Sequence, residues 1–300
     1  RFRYLIDGTV FTSPKRSVYT HMKLKNSLYL ANRMASLEPS ATLAMAARAS
    51  AMKASGLDVI DLSVGEPDFP TPQHICEAAE KAIRAGKTKY TPAAGIPELR
   101  KAIADDWTQR TGIEVSQKHI VVSNGAKHAL HNVFTATLNE GDEVIVPTPY
   151  WVSYAELVKI TGAKPVLVPT HIEENFKLQP NAFREAITPK TRMLLLCSPS
   201  NPTGVVYTPE ELGALADIAI DANLAVISDE IYDQLIFDNR PTVSFPTVRP
   251  GLSDRTVVVA GVSKTYSMTG WRIGWTISPE PLAKSIGSLQ SQETSNPCSV

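Results

Sequence analysis

Short apolar segments alternate with helix-like segments after residue 39, and this alternation constrains the fold more than any other feature. Most of the apolar segments are nearly continuous, as strands are when helices cover both faces of a parallel sheet. The alternation therefore predicts an α/β fold of three layers with a mainly parallel sheet. The predicted strands are residues 59–62, 120–122, 143–147, 166–168, 192–197, 224–228 and 256–260.

Capping residues predict where two of the intervening helices begin. Thr208 precedes a proline and stands three residues before Glu211, which is a capping box with proline at the first helical position. This pattern predicts a helix that continues to about Ala222. A second helix is predicted to begin within residues 95–99 and to run towards Thr111.

The first 37 residues differ in composition from the rest of the chain. They hold seven Lys or Arg residues and a single acid, Asp7. This composition is typical of a transit peptide, and the alternative is untranslated or vector-derived sequence ahead of Met22. We therefore expect an extension outside the core over residues 1–37 and a large domain over residues 38–300. The expected location is the cytoplasm, or a plastid or mitochondrion if residues 1–37 are a transit segment.

Charge and cysteine content argue against several classes of function. The chain has 30 Lys or Arg and 30 Asp or Glu residues, so it lacks the broad basic field of a nucleic-acid or membrane-surface binder. No apolar run is long enough to span a bilayer. The three cysteines are widely spaced, which argues against a disulfide framework or a zinc site and favours a reducing compartment. His128 and His131 have helical spacing but no acidic or Cys neighbour in the sequence to complete a metal site, so no metal is expected.

Two ionisable residues follow predicted strands, at the edge where open α/β sheets bind ligands. Lys264 comes after the strand at 256–260, where burial would lower its pKa as a Schiff-base lysine requires, although a surface lysine is the alternative. Asp229 closes the strand at 224–228. It either caps the next turn or is buried against a cation such as a protonated pyridine nitrogen, and Tyr232 could then bond the same ring.

Further candidates follow other predicted strands. Residues 123–127 join a strand to a helix through small residues whose N–H groups could bind a phosphate, and Arg272 could contribute to the same site. The segment lacks the glycine patterns of a P-loop or a dinucleotide-binding turn. Asn201 lies in a turn, Trp151 could equally be core, and the Gly65 backbone could meet a substrate carboxylate.

Five motifs in this order resemble a known family, the class I aminotransferases of pyridoxal phosphate fold type I. The resemblance is strongest to the bacterial and plastid aspartate and prephenate aminotransferases, and it covers residues 35–300. The motifs are S-N-G-A-K, P-Y-W-V-S-Y, S-P-S-N-P-T-G, S-D-E-I-Y and G-V-S-K-T-Y-S-M-T-G-W-R-I-G.

The resemblance implies a set of cofactor-binding residues for pyridoxal 5′-phosphate. Lys264 would carry the cofactor as a Schiff base and later shuttle a proton, while Asp229 would keep the pyridine nitrogen protonated. Tyr90 would reach the phosphate of the neighbouring subunit, which implies a homodimer with shared active sites. The other implied residues are Tyr232 and Asn201 at the ring's 3′ oxygen, Trp151 on the ring face, and Gly125, Ala126, Lys127 and Arg272 at the phosphate.

The resemblance also implies a substrate class. Gly65, Asn201 and Trp151 would contact the substrate, and Lys127 would pair with its distal carboxylate. This selects aspartate or glutamate as amino donor, with prephenate or arogenate chemistry as a further candidate, and a 2-oxo acid as acceptor. The arginine that binds the α-carboxylate would belong to a C-terminal small domain beyond residue 300, which we expect to be missing from this chain.

Two other functions remain open at the level of sequence. A β-lyase or a decarboxylase of the same fold type would share the cofactor site, but Lys127 argues mildly against it. A transcriptional regulator with an aminotransferase-like domain would need a DNA-binding module, and nothing basic and helix-turn-helix-like precedes Pro39. The sequence therefore favours an enzyme that uses small-molecule substrates, without a nucleic-acid or membrane partner.

Overall fold

The computed structural model describes residues 4–6, 9–11, 31, 33–34, 37–238 and 243–300. The chain divides into two compact units, Arg1–Glu38 and Pro39–Val300. In the first unit, β1 (Tyr4–Ile6) pairs antiparallel with β2 (Thr9–Phe11). Most of the segment at 1–37 lies outside the described residues, so its nature and the boundary at residue 38 stay predictions.

A seven-stranded sheet forms the centre of the second unit. Its order is β3-β9-β8-β7-β6-β4-β5, and the four pairings among β4 to β8 are all parallel. Only β9 runs antiparallel to its neighbours, β3 and β8. The mainly parallel sheet is thus confirmed. The strands are β3 (Ile120–Ser123), β4 (Glu143–Thr148), β5 (Lys164–Pro169), β6 (Thr191–Cys197), β7 (Ala225–Asp229), β8 (Thr256–Gly261) and β9 (Gly274–Ile277).

Eight α-helices accompany the sheet in the described part of the chain: α1 (Ala41–Ala54), α2 (Gln73–Arg84), α3 (Pro97–Thr111), α4 (Ala126–Thr137), α5 (Ser153–Ile160), α6 (Pro180–Ala186), α7 (Pro209–Asp221) and α8 (Glu280–Glu293). Helix α7 begins as predicted, because the Thr208 hydroxyl accepts from the Glu211 N–H and the Glu211 carboxylate accepts from the Thr208 N–H. No helix among the described residues is both long and apolar enough to cross a bilayer.

Helices cover both faces of the sheet, so the three-layer prediction is also confirmed. On one face, α4, α5 and α8 pack against strand residues such as Val144 and Leu195. On the other face, α6 and α7 pack against Ile145 and Leu194. Consecutive strand residues point to opposite faces, and both sets are buried, which explains the continuous apolar runs in the sequence.

One strand prediction is wrong, and one strand of the central sheet was not predicted. Residues 59–62 form no strand, and the side chains of Ile60 and Leu62 are 87% and 90% exposed. An apolar run becomes a strand only when a neighbour satisfies its backbone groups, and no strand of the described residues pairs with this one. Strand β9 was missed, because it has four residues and begins with a glycine, which weakens the strand signal.

Candidate active site

The predicted site residues come together at one edge of the sheet. Cys197 at the end of β6 pairs with Asp229 at the end of β7, and Ser123 at the end of β3 pairs with Gly274 at the start of β9. The loops that follow β3, β4, β6, β7 and β8 therefore meet the loop that precedes β9. These loops and strand ends carry Gly125, Ala126, Lys127, Trp151, Asn201, Asp229, Tyr232, Lys264 and Arg272.

Asp229 is buried beneath this edge, with 3% of its surface exposed. Its Oδ2 accepts from the Tyr154 hydroxyl at 2.6 Å, and its Oδ1 accepts from the Ile231 N–H at 3.2 Å. No Lys or Arg pairs with it among the described residues. Burial raises the pKa of Asp229 to about 6, although the two hydrogen bonds act in the opposite direction. The carboxylate is therefore placed where a cationic ligand would stabilise its charge.

Tyr154, the partner of Asp229, is a site residue that the sequence did not single out. It lies on α5, is 3% exposed, and its ring meets Trp151 edge to face with centroids 5.4 Å apart. Burial, followed by the charge of Asp229, holds the pKa of Tyr154 well above its usual value, so the hydroxyl stays protonated and donates. The motif contained this residue, but a tyrosine on an apolar helix gives the same signal as a core residue.

Lys264 lies in the turn after β8 and is half-buried. Its Nζ donates to the backbone oxygen of Gly65 and lies 5.9 Å from the centroid of the Tyr232 ring. Burial lowers the pKa of Lys264, the nearby Glu66 opposes this shift, and Arg272 adds to it. The amine is thus held inside the site with an increased tendency to lose its proton.

Three hydrogen bonds hold the segment around Gly65 against the loop that carries Lys264. The Thr269 hydroxyl donates to the Glu66 carboxylate at 2.5 Å. The Thr71 hydroxyl donates to the Ser267 carbonyl at 2.6 Å and accepts from the Trp271 indole at 3.0 Å. These contacts join two segments that are 196 to 203 positions apart in the chain and place the Gly65 carbonyl next to the amine.

Tyr232 and Asn201 lie between Lys264 and the end of β6. The Asn201 amide donates to the Tyr232 hydroxyl oxygen at 3.2 Å. Burial raises the pKa of Tyr232, which the hydrogen bond from Asn201 partly offsets. Both side chains therefore present polar hydrogens within one small region, where an anionic oxygen of a ligand could accept them.

The start of α4 offers a phosphate site. Gly125 is the N-cap, and the N–H groups of Ala126 and Lys127 have no acceptor among the described residues, as is usual for the first turn of a helix. The Arg272 guanidinium lies beside them and donates to the carbonyls of Thr269 at 2.9 Å and Asn124 at 3.3 Å. A Cβ on Gly125 would come within 2.2 Å of the guanidinium, so this approach requires glycine.

Lys127 and Trp151 form one wall of the site. The Lys127 Nζ lies 4.9 Å from the centroid of the Trp151 ring, which is cation–π distance. Burial, and secondarily the positive charge of Arg272, lowers the pKa of Lys127. The Lys127 cation is therefore close to a second one, and an anionic substrate group would relieve their repulsion.

Tyr90 is the one predicted site residue that the structure leaves apart from this cluster. Its side chain is 90% exposed and, among the described residues, makes no side-chain hydrogen bond. Its predicted role in a neighbouring subunit is not tested by a single chain. The roles of the other site residues likewise stay predictions, although the structure brings their side chains together.

The two histidines of α4 have an acidic neighbour after all. Glu293, the last residue of α8, lies 3.1 Å from His131 Nε2 and 3.4 Å from His128 Nε2. More than 160 positions separate them from it, so sequence spacing gave no indication of this contact. Within the described part of the chain, no group of three or more His, Cys, Asp or Glu residues is arranged to hold a metal ion.

Comparison with known proteins places the chain in a family. Residues 57–300 match the model of the family described as aminotransferase class I and II. The chain is 48% identical over 271 residues to the aspartate aminotransferase of Bacillus subtilis, and the alignment covers 90% of this chain and 69% of that relative. It is 45% identical over 273 residues to the aspartate/prephenate aminotransferase of Cereibacter sphaeroides, which covers 91% and 68%.

Solved structures agree with the sequence relatives. The aspartate aminotransferase from Thermus thermophilus with maleate superposes with a TM-score of 0.87 at 44% identity, covering 90% of this chain and 70% of that one. The enzyme from Rhizobium meliloti gives a TM-score of 0.87 at 43% identity, covering 90% and 68%. The resemblance carried by the ordered motifs is thus confirmed, and the chain belongs to the class I and II aminotransferases.

Proposed function

We propose that this chain transfers an amino group between a dicarboxylic amino acid, with aspartate as the first candidate, and a 2-oxo acid, using pyridoxal 5′-phosphate. One observation carries the proposal: the buried carboxylate of Asp229 lies at the same sheet edge as Lys264, whose pKa is lowered. The names of the relatives, aspartate aminotransferase and aspartate/prephenate aminotransferase, support the choice of substrate.

The residues present fit this cofactor at both of its polar ends. A protonated ring nitrogen would give Asp229 the cationic partner that no described Lys or Arg supplies. A phosphate would accept from the N–H groups of Ala126 and Lys127 and from Arg272. The glycine at position 125 leaves the space that this arrangement needs, because any side chain there would displace the guanidinium.

The cofactor, when bound, supplies an aldehyde that links to an amine and a ring that accepts the electron pair left when the substrate loses its Cα proton. Lys264 would supply the amine and, once free, would be the base that takes the Cα proton and returns it. Asp229 would hold a proton on the ring nitrogen, while Tyr232 and Asn201 would donate to the ring oxygen. Trp151 would cover the ring face and exclude water.

Lys127 supports the preference for a second carboxylate on the substrate. Its amine lies over the Trp151 ring, and partial desolvation lowers its pKa, so an anionic group there would stabilise its charged form. An apolar substrate side chain would leave this cation unpaired. We therefore propose aspartate and glutamate as the best donors, with prephenate as a candidate acceptor.

Absorbance spectroscopy and variants of Lys264 test the function. Wild-type protein reconstituted with pyridoxal 5′-phosphate should show a visible absorbance band that aspartate bleaches and that Lys264→Ala lacks. Lys190→Ala, which removes an exposed lysine, is the matched control and should behave as wild type. Normal transamination by Lys264→Ala would contradict the proposal. Release of pyruvate and ammonia without use of a keto acid would favour a β-lyase, and a specific DNA gel shift would favour a regulator.

We further propose a homodimer in which Tyr90 of each subunit contributes to the active site of the other. Tyr90 is a large side chain on the surface, and Phe69 on the same unit is 74% exposed, as is common for residues that another subunit covers. Sedimentation equilibrium at micromolar concentration should give twice the mass of one chain. A monomer with full activity would exclude shared sites.

We also propose that the protein works in the cytoplasm. Its three cysteines are all unpaired, which suits a reducing compartment. A fluorescent fusion to the complete gene product should be diffuse in the cytoplasm, whereas organelle import would identify the N-terminal segment as a transit peptide.

A further inference from the structure

Two consecutive peptide units at the edge of the phosphate site, those before and after the Cα of Asn124, are each held by a side chain. The N–H of Asn124 donates to Nδ1 of His128 at 3.2 Å, and the carbonyl of Asn124 accepts from Arg272 at 3.3 Å. Asn124 directly precedes Gly125, the N-cap of α4. The orientation of these two peptide units therefore affects where the N–H groups of the first turn of α4 point.

The second ring nitrogen of His128 faces a carboxylate. Because Nδ1 accepts a hydrogen bond, the neutral ring carries its hydrogen on Nε2, where Glu293 lies 3.4 Å away. The His128 side chain is only 15% exposed, and its burial lowers its pKa, although Glu293 opposes this shift. Glu293 thus selects the tautomer that leaves Nδ1 able to accept from the loop.

The same end of α8 also holds the strand that leads into the loop. Ser123 donates to Gln290 Oε1 at 2.6 Å, and the Gln290 amide donates to the carbonyl of Val122 at 2.7 Å. Gln290 is fully buried and lies one turn before Glu293. Helix α8 therefore fixes both the end of β3, through Gln290, and the loop that follows β3, through Glu293 and His128.

We propose that His128 is a positioning residue for the phosphate site: it fixes the peptide between Ser123 and Asn124 so that the first turn of α4 and Arg272 stay arranged around one anion, while Glu293 fixes the His128 ring. This deepens the proposed function and rests on its cofactor. His128 itself touches neither cofactor nor substrate in this scheme, and its effect passes through the backbone of the loop.

Three substitutions of His128 distinguish the effect of losing the hydrogen-bond acceptor from the effect of losing the volume of the ring. In His128→Asn the amide oxygen lies near the position of Nδ1, in His128→Gln the amide lies near that of Nε2, and His128→Leu has no acceptor. We expect His128→Leu and His128→Gln to raise the Kd for pyridoxal 5′-phosphate about tenfold, the usual effect of one lost hydrogen bond. The asparagine variant should stay within about threefold of wild type.

Pyridoxal without its phosphate makes the test specific to the phosphate site. We expect its Kd to be equal, within about twofold, for wild type and all three variants, because the ring contacts do not involve the loop. In the cofactor-free protein, the Asn124 amide should also exchange with deuterium faster in His128→Leu than in wild type. This second readout needs neither cofactor nor activity.

His131 provides the matched control, since it also contacts Glu293 but makes no hydrogen bond to the loop among the described residues. His131→Leu should bind pyridoxal 5′-phosphate as wild type does. Equal losses for pyridoxal and its phosphate, no rescue by asparagine, or unchanged exchange at Asn124 would each overturn the proposal. If the leucine variant does not fold, the contrast between asparagine and glutamine decides. If wild type binds no cofactor, the proposed function fails, and the exchange measurement alone decides the role of His128.

Discussion

Two neighbouring carboxylates, Asp229 and Glu230, lose almost all contact with water but have different surroundings. Oε1 of Glu230 accepts from the hydroxyls of Ser228 and Ser244 and from the N–H of Phe245, so the fold itself supplies three donors to this carboxylate. Among the described residues, Asp229 accepts from the Tyr154 hydroxyl and from one backbone N–H. Burial raises the pKa of both, to about 7 for Glu230 and about 6 for Asp229. Asp229 is therefore the carboxylate to which the fold supplies fewer donors, and it has more to gain from a cationic ligand.

The raised pKa of Asp229 predicts a pH-dependent stability of the cofactor-free protein. A carboxyl with a higher pKa in the folded state than in the unfolded state contributes stability below the unfolded value, 3.8, and this contribution is lost as the pH rises through about 6. Between pH 4 and pH 7 the free energy of unfolding of wild type should fall by up to about 3 kcal/mol more than that of Asp229→Asn. Urea denaturation across this range measures it, and parallel curves would contradict it.

The hydroxyl of Tyr154 should affect catalysis through Asp229. Its hydrogen bond lowers the pKa of Asp229, so Tyr154→Phe should raise that pKa. Asp229 would then be protonated more readily itself and would be less able to keep the proton on the ring nitrogen. We expect kcat to fall about tenfold with little change in KM, and the acidic limb of the pH–rate profile to move to higher pH.

Tyr150→Phe is the control for this prediction, because Tyr150 lies just before α5, four residues from Tyr154, and its hydroxyl makes no side-chain hydrogen bond among the described residues. It should leave kcat and the pH profile unchanged. A drop in KM alone for Tyr154→Phe, or an unmoved acidic limb, would show that the tyrosine only packs.

Among single residues, those of the candidate site could be predicted from the sequence because they stand at the ends of apolar strands. Lys264 and Asp229 each follow a clear apolar strand, and charged residues there are unusual enough to be noticed. Tyr154 and Glu293 act from helices, where tyrosine and glutamate are ordinary, and each meets its partner only after the chain has folded. Interactions between positions distant in sequence leave no local pattern that could predict them.

Among the elements, the loop between β3 and α4 depends most on one backbone conformation. Gly125 has φ 88° and ψ 162°, a region open almost only to glycine, and its hydrogen faces the Arg272 guanidinium. Gly112 at the end of α3 has φ 73° but nothing within 4 Å of an added Cβ. The two glycines therefore share a positive φ and differ in available space.

Gly112 and Gly125 should respond differently to replacement by alanine. Gly112→Ala should lower the free energy of unfolding by about 1 kcal/mol, which is the conformational cost alone. Gly125→Ala should cost about 2–3 kcal/mol and raise the Kd for pyridoxal 5′-phosphate more than tenfold, because the side chain displaces Arg272. Urea denaturation and cofactor titration measure both, and equal effects at the two positions would contradict the role assigned to the loop.

The strands show which elements a sequence can reveal. Those buried on both faces were predicted, since continuous apolar runs persist in any register. β9 lies between β3 and β8, where the close approach of Gly261 and Gly274 replaces side-chain packing, so its sequence carries little strand signal. Residues 59–62 have the opposite character, with a strand-like sequence and no partner strand among the described residues.

For the whole molecule, the parallel arrangement explains why one edge holds nearly all of the predicted residues. Parallel strands end on the same side, so strand-end residues from five separate motifs converge without any further requirement. The order β3-β9-β8-β7-β6-β4-β5 does not follow the chain and was not predictable from it. Convergence of the site needs only the shared direction of the strands, which is why the site residues could be proposed before the order was known.

A dimer with shared sites predicts that two inactive variants restore each other. Lys264→Ala damages a subunit's own site, whereas Tyr90→Ala damages its partner's site. A mixed dimer then contains one site with both lesions and one site with neither. Equimolar refolded mixtures should recover about a quarter of wild-type activity, since half of the dimers are mixed and each has one intact site.

Asp229→Ala serves as the control partner in the mixing experiment. Asp229 and Lys264 belong to the same subunit's site, so a mixed dimer of these two variants has one lesion in each site and should stay inactive. Activity would be measured as oxaloacetate formed from aspartate. No recovery in the mixture with Tyr90→Ala would show that Tyr90 does not act across subunits. Because Tyr90 is 90% exposed in the single chain, its substitution should leave the fold of each subunit unchanged, and the outcome reports on the assembly alone.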